Sequence, residues 1–307
     1  GINNIAIGTS TMDALTSGAC NVAIGNNALG ASTTGCYNIA IGAEVLNKAT
    51  IGKKNIAIGY YAMCGVTTAQ VDDNIAIGRS AMMGSASTSG DCNIAIGISA
   101  MVALTTGANN IVIGRNTAEA ITSGVDNVAI GREALGAATT SSDNVAIGYA
   151  AMAECNLTGG SNIAIGVVAA GRLTTGICNT MIGYQAGRNA TTGCNNTLIG
   201  TFAGCNAEHN QVADNHRMML GNQHVTHFYA TVALTVLSDA RDKTDVADLD
   251  LGLDYIKALR PIYYRWDKRS WYNDSSTPWG TDDEKNIYLN YEPDGSNKRN
   301  RWEIGLL

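Results

Sequence analysis

Residues able to do chemistry are few in this sequence, and their spacing is poor. Four histidines, His209, His216, His224 and His227, crowd into one short segment. Three copies of one or two imidazoles meeting on a symmetry axis would complete an octahedral metal site. His224 and His227 are three apart, which puts them on opposite faces of a strand, and no carboxylate spacing supports them, so they read as polar junction residues. Eight cysteines (Cys20, Cys36, Cys64, Cys92, Cys155, Cys178, Cys194, Cys205) form no Cys-x-x-Cys pair and no zinc-ligand spacing, and read as small buried residues. The acidic residues Asp13, Glu44, Glu119, Glu133 and Glu154 are scattered one to a repeat, mostly in turns, whereas polysaccharide cleavage needs carboxylates clustered. No metal and no cofactor is expected.

The elements that hold these residues are written in a repeat. The pentad Asn-Ile-Ala-Ile-Gly or a near copy begins at Asn4, Asn21, Asn38, Asn55, Asn74, Asn93, Asn110, Asn127, Asn144, Asn162, Asn179 and Asn196, a spacing of 17 with occasional 18 or 19. A fixed period this short implies a solenoid. Three residues after each Asn stands Ile, and four after stands Gly. Period-two alternation puts the first and third apolar residues on one face of a short strand and the intervening Ala on the other. Both faces are apolar, so both must be covered, one by the coil itself and one by something else. A second apolar pair follows (Ala28-Leu29, Ala62-Met63, Ala100-Met101), then a Thr/Ser/Gly turn, so each coil is expected to hold two short strands and two turns. The Met and Leu column is read as core filler. The Asn column is suited to bonding along the stack and tolerates left-handed backbone, and the Gly column marks positive φ or close approach.

Bulk composition narrows the class further. A net charge of -6 offers no basic track for phosphates, so nucleic acid is not an expected partner. No apolar run approaches membrane-spanning length, and no secretory leader is evident, so membrane insertion is not expected. Composition breaks near residue 215. All three prolines (Pro261, Pro278, Pro293) and all four tryptophans (Trp266, Trp271, Trp279, Trp302) lie beyond it. The reading is a repeat shaft at 1–205, a degenerate last coil and neck at 206–237, and a charged module at 238–307. Within the joint, Arg217-Met218-Met219-Leu220-Gly221 reads as the degenerate coil, and the run from His227 to Leu237 as an extended neck.

The coil pattern resembles the head repeats of trimeric autotransporter adhesins and the shafts of phage tail fibres, over about residues 1–205. The resemblance implies a mostly β fold, a β-roll or β-helix in which three chains share an axis. Beyond the neck, Ser238, Asp239, Arg241 and Lys243, then Gly252-Leu253, Ile256, Leu259 and Pro261, then Tyr264 and Trp266, resemble the intramolecular chaperone domain at the C-terminus of phage endosialidases, tail spikes and tail fibres. A helix capped by Asp248 or Asp250 and ended by Pro261, then a strand from Ile262 to Trp266, is the small α+β module this pattern implies. Measured against that family the module is incomplete, stopping at Trp302–Leu307 where the family continues.

The family resemblance implies self-cleavage between Leu237 and Ser238, with Ser238 as nucleophile and Lys243 as base. A hydroxyl beside its own peptide bond has a high effective concentration, and a lysine becomes a base where burial lowers its pKa. Read from spacing alone, Ser238 and Asp239 cap a turn and Lys243 pairs with Asp239 or Asp242. The expectation is a homotrimeric tail fibre or tail spike component of a bacteriophage, assembled in the host bacterial cytoplasm. It would join other tail proteins and attach to a cell-surface receptor, a glycan by expectation. Any enzymology would be a single self-cleavage per chain. The alternative is a bacterial trimeric surface adhesin.

Overall fold

The computed structural model describes residues 1–65, 71–84, 89–205, 213–227 and 229, together with the backbone of 261–264 and 303–306. The chain divides into two compact units, Gly1–Tyr229 and Ala230–Leu307. The first is a parallel β-solenoid of about twelve turns, as the period implies. Its three-residue strands run from β1 (Ile5–Ile7) and β2 (Val22–Ile24) through β12 (Thr197–Ile199) to β13 (Met218–Leu220), in one 13-stranded sheet whose spatial order is the chain order. Every residue lies opposite its repeat equivalent: Ile5 opposite Val22, Ala6 opposite Ala23, Ile7 opposite Ile24. The degenerate segment at Arg217 supplies β13, with Met218 opposite Thr197. At ~4.8 Å between strands the stack is roughly 60 Å long.

One expectation about the coil is corrected. Each coil carries one strand, and the second apolar pair is part of a turn. Leu29, Leu46, Met63, Met82 and Met101 have φ between 47° and 54°, a left-handed conformation that cannot continue a strand. Three side-chain-bearing positions per coil take this conformation, as in Tyr37 (φ 61°), Glu44 (φ 59°) and Leu46 (φ 47°). Each costs on the order of 1 kcal/mol. Their own amides are what fix them: Tyr37 N–H donates to Ala19 O, Glu44 N–H to Asn26 O and Leu46 N–H to Ala62 O, at 3.0, 2.9 and 3.1 Å. All three bonds cross to a neighbouring coil, so the bends are held by the stack. Through Leu135 and Met152 to Ala170, the third of these columns holds only unbranched or γ-branched side chains.

The interior is narrow. It is filled by the central strand residues from β2 onward (Ala23, Ala40, Ala57, Ala76, with Val112, Met181 and Leu198 later in the column, each 0% exposed), the Leu/Met column, and a third column including Leu104, Ile121 and Leu173. The Asn column completes it. Asn38 donates its backbone N–H and its side-chain Nδ2 to Asn21 Oδ1, at 2.9 and 3.2 Å, and Nδ2 also donates to Gly52 O in the following turn at 2.8 Å. The same triad recurs at Asn110, which donates to Asn93 Oδ1 and to Gly124 O. Both amide hydrogens and both lone pairs are thereby used, which is what full burial of an amide requires. The left-handed residue is not the Asn but the one before it (Cys20, Tyr37, Lys54). The Gly column meets both of its expected reasons: Gly97 has φ 138°, and a Cβ there would lie 2.2 Å from Gly114 O on the next coil.

In the second unit the backbone shows β14 (Pro261–Tyr264) antiparallel to β15 (Glu303–Leu306), with Ile262 opposite Gly305 and Tyr263 opposite Ile304. Pro261 opens its strand, the place where a missing N–H is tolerated. The helix expected between its cap at Asp248 or Asp250 and Pro261, the neck from Ala230 to Leu237, and Leu237, Ser238 and Lys243 themselves lie outside the described residues.

Candidate functional surface

The two faces of each strand have opposite fates. The central Ala points inward and is sealed by its own coil, while the flanking Ile or Val pair points outward. Ile111 and Ile113 of β7 (Ile111–Ile113) are 38% and 37% exposed, against 0% for Val112 between them. Other strands such as β3 (Ile39–Ile41) repeat the pattern with half-buried flanks. The outward file therefore runs the length of the sheet as one flat apolar band, interrupted only by Thr180 and Thr197. Soluble chains rarely leave a contiguous apolar surface of that extent uncovered.

Beside this band, at the first residue after each Gly, lies a column that the sequence reading passed over. From Tyr60 it continues through Arg79, Ile98, Arg115 and Arg132 to Tyr149, all exposed. Its register is fixed by backbone bonds between coils: Ser99 N–H donates to Arg79 O, Glu133 N–H to Arg115 O and Val168 N–H to Tyr149 O, at 2.9, 3.1 and 2.8 Å. The Arg132 guanidinium lies 4.2 Å from the Tyr149 ring centre, a cation–π contact. Arg132 also approaches Glu133 at 3.6 Å. Arg79 and Arg115 have no ion-pair partner among the described residues. The signal in the sequence was available, since Tyr60, Arg79, Arg115, Arg132 and Tyr149 are bulky residues recurring at one repeat position.

A shallow groove of about 620 Å³ adjoining this column brings together Glu119, Glu133, Tyr149 and Glu154 with Ala120, Ala137 and Ala153. Carboxylates that stand one to a repeat are thus neighbours after all, because stacking reduces a separation of about a coil to roughly 5 Å. They are not a free acid–base pair. Glu154 gives one oxygen to Arg188 at 2.7 Å and the other to Arg172 at 3.2 Å, and Glu133 faces Arg132.

The cysteines depart from expectation. All are free; Cys64 is buried, Cys92 and Cys178 are exposed, and the others are intermediate, since most occupy turn positions rather than core columns. Burial pushes the thiol pKa of Cys64 and of Cys205 upward. His216, His224 and His227 are exposed, and no group of three metal-ligating side chains occurs among the described residues. His209 lies outside them. Nor is any helix of the described residues long and apolar enough to cross a membrane.

No family model matches the chain, and the comparisons with curated proteins and with solved structures likewise return no match. The class the coordinates define is a parallel β-solenoid repeat protein, a fold compatible with tail-spike and adhesin-type structural proteins.

Proposed function

We propose that this chain is a structural and adhesive rod: one of three identical chains packed about a shared axis, forming part of a bacteriophage tail fibre or tail spike that attaches to a host cell. The observation that carries the reading is the outward Ile/Val band. Each coil closes around its central strand residue, the Leu/Met column and a third buried column that includes Leu104 and Ile121, and the isoleucine face stays open on an isolated chain. Covering it with two further copies satisfies all coils at once, because every coil presents the same face. Size-exclusion chromatography with light scattering tests this directly. The mass of three chains is expected, and a monodisperse single chain overturns the trimer.

The charged module after the neck fits the role of an end clamp. A repeat shifted by one coil pairs almost as well as the correct one, so three chains need a fixed start to align. Supporting this is the pattern from Ser238 to Trp266, which also assigns Ser238 and Lys243 to cleavage after Leu237. On a denaturing gel the full-length product should run shorter than its Ser238→Ala variant, and equal masses remove the self-cleavage. The same rod in a bacterial trimeric adhesin would present the same face; the Ser238–Trp266 pattern is what favours the tail fibre.

A further inference from the structure

We infer that Cys20 with Cys36, and Cys178 with Cys194, are two disulfide sites that staple adjacent coils once the chain meets an oxidising medium. Four of the eight cysteines fall into these pairs, and the members of each are 16 residues apart. In both, the first cysteine immediately precedes the ladder asparagine of its coil (Asn21, Asn179), and the second stands two residues before the asparagine of the next coil (Asn38, Asn196). The first member is left-handed each time, with φ 58° at Cys20 and 57° at Cys178. One local geometry is thus written twice.

Stacking brings the members of each pair together. Tyr37 N–H donates to Ala19 O and Asn195 N–H to Ile177 O, at 3.0 and 3.1 Å, so each cysteine pair spans the diagonal beside one of these inter-coil bonds. A step of ~4.8 Å along the stack and ~3.8 Å along the chain puts the two Cα atoms about 6 Å apart, a separation that a disulfide bridges without strain. The second sulfur already reaches back across the gap: Ala19 N–H, next to Cys20, donates to Cys36 Sγ at 3.4 Å. Cys194 holds its thiol as Cys36 does, for Cys36 Sγ donates to Thr34 O at 3.4 Å and Cys194 Sγ to Thr192 O at 3.5 Å. Cys178 is exposed and the other three are partly exposed, so an oxidant can reach both pairs. Cys92 supplies an internal control. It stands in the first-member column, but Ala108 occupies the place of its partner.

A small-molecule disulfide such as glutathione disulfide is a sufficient oxidant. One cysteine thiolate attacks it and expels a glutathione thiolate; the partner thiolate then attacks the protein sulfur of the mixed disulfide and expels the second. Two protein thiols are oxidised, and the glutathione disulfide becomes two thiols that take up the two protons. Each bridge closes a loop of about one coil, so neither coil can peel from the other with the loop open. In a reducing cell interior the pairs stay as thiols, and outside it they close.

The experiment uses the full chain, first reduced and then incubated with glutathione disulfide, with the remaining thiols blocked before tryptic mass mapping. Peptide 1–48, which holds Cys20 and Cys36, should be lighter by two hydrogens. Peptides 173–188 and 189–217 should be joined, with fragmentation placing the link at Cys194 rather than Cys205. Cys92, in peptide 80–115, should carry only the blocking group or a glutathione adduct. Hydrogen exchange at the Tyr37 and Asn195 amides should be slower by about tenfold or more in the oxidised chain than in the reduced one. That slowing should disappear in the double variant Cys36→Ser, Cys194→Ser and persist in Cys92→Ser. Serine suits the second-member column, since Ser142 already stands there with its Oγ accepting Val125 N–H at 3.1 Å. Four cysteines left as thiols or glutathione adducts, links to other cysteines or between chains, or equal exchange in the two redox states would each overturn the assignment. Both members of a pair belong to one chain, so the outcome is independent of the number of chains in the rod.

Discussion

The inner and outer faces of one three-residue strand differ more than any two distant parts of this molecule. Inside, tolerance is least at the glycine column, where a single added carbon at Gly97 meets Gly114 O of the next coil, and at the asparagine column, whose amides are fully hydrogen-bonded. Outside, the same strands offer isoleucine to a surface that the chain does not close. The contrast teaches that composition alone does not assign the core. In most coils the isoleucines of the strand go out and alanine goes in, although Val112, Met181 and Leu198 are fully buried at that same central position.

Substitutions can break or sharpen that contrast. The largest effect is expected inside, for Gly97→Val, which places a β-branched side chain at φ 138° with its Cβ 2.2 Å from Gly114 O. A loss above about 4 kcal/mol is expected, and chemical denaturation followed by circular dichroism measures it. Asn110→Asp comes next, at about 3 kcal/mol. The carboxylate would face Asn93 Oδ1, Ala108 O and Gly124 O, which now receive hydrogen bonds. The loss should shrink as pH falls and the carboxyl group regains a proton to donate, a recovery that a pH series of denaturation curves would show.

Outside, replacing Ile94, Ile96, Ile111 and Ile113 together by Thr should leave the circular dichroism spectrum of the coils unchanged. The expected cost within one chain is under about 1 kcal/mol per site, while light scattering should report separated chains. If that variant unfolds as readily as Gly97→Val, the outer face belongs to the core of a single chain and the contrast fails. The smallest effect concerns the thiols. Cys92 and Cys178 should alkylate first. Cys64 and Cys205, whose thiols burial holds protonated to higher pH, should need more alkaline conditions, as mass mapping of the modified residues will show.

Much of this fold is legible in the residues. The Asn and Gly columns specify the period, the in-register pairing and the close approach, and the irregular Arg217–Gly221 segment still declares itself a coil. What misled was local conformation. An Ala-Leu or Ala-Met pair looks like half a strand, yet Leu46 and Met63 adopt left-handed backbone because inter-coil amide bonds outweigh the local preference. Alternation also states that both strand faces are apolar without saying which is inside. The candidate surfaces were harder still. Arg115 and Arg132 are 17 residues apart in the chain, and Glu133 and Glu154 are 21 apart; only the stacking turns those intervals into neighbours.

The asparagine ladder has one more consequence. Each rung makes the same bonds as the rung before it, from Asn21 to Asn196, so removing or duplicating a whole coil recreates an identical joint at the seam. Reach then becomes a quantity that unequal recombination can tune in steps of ~4.8 Å, with no fresh interface to invent at any length.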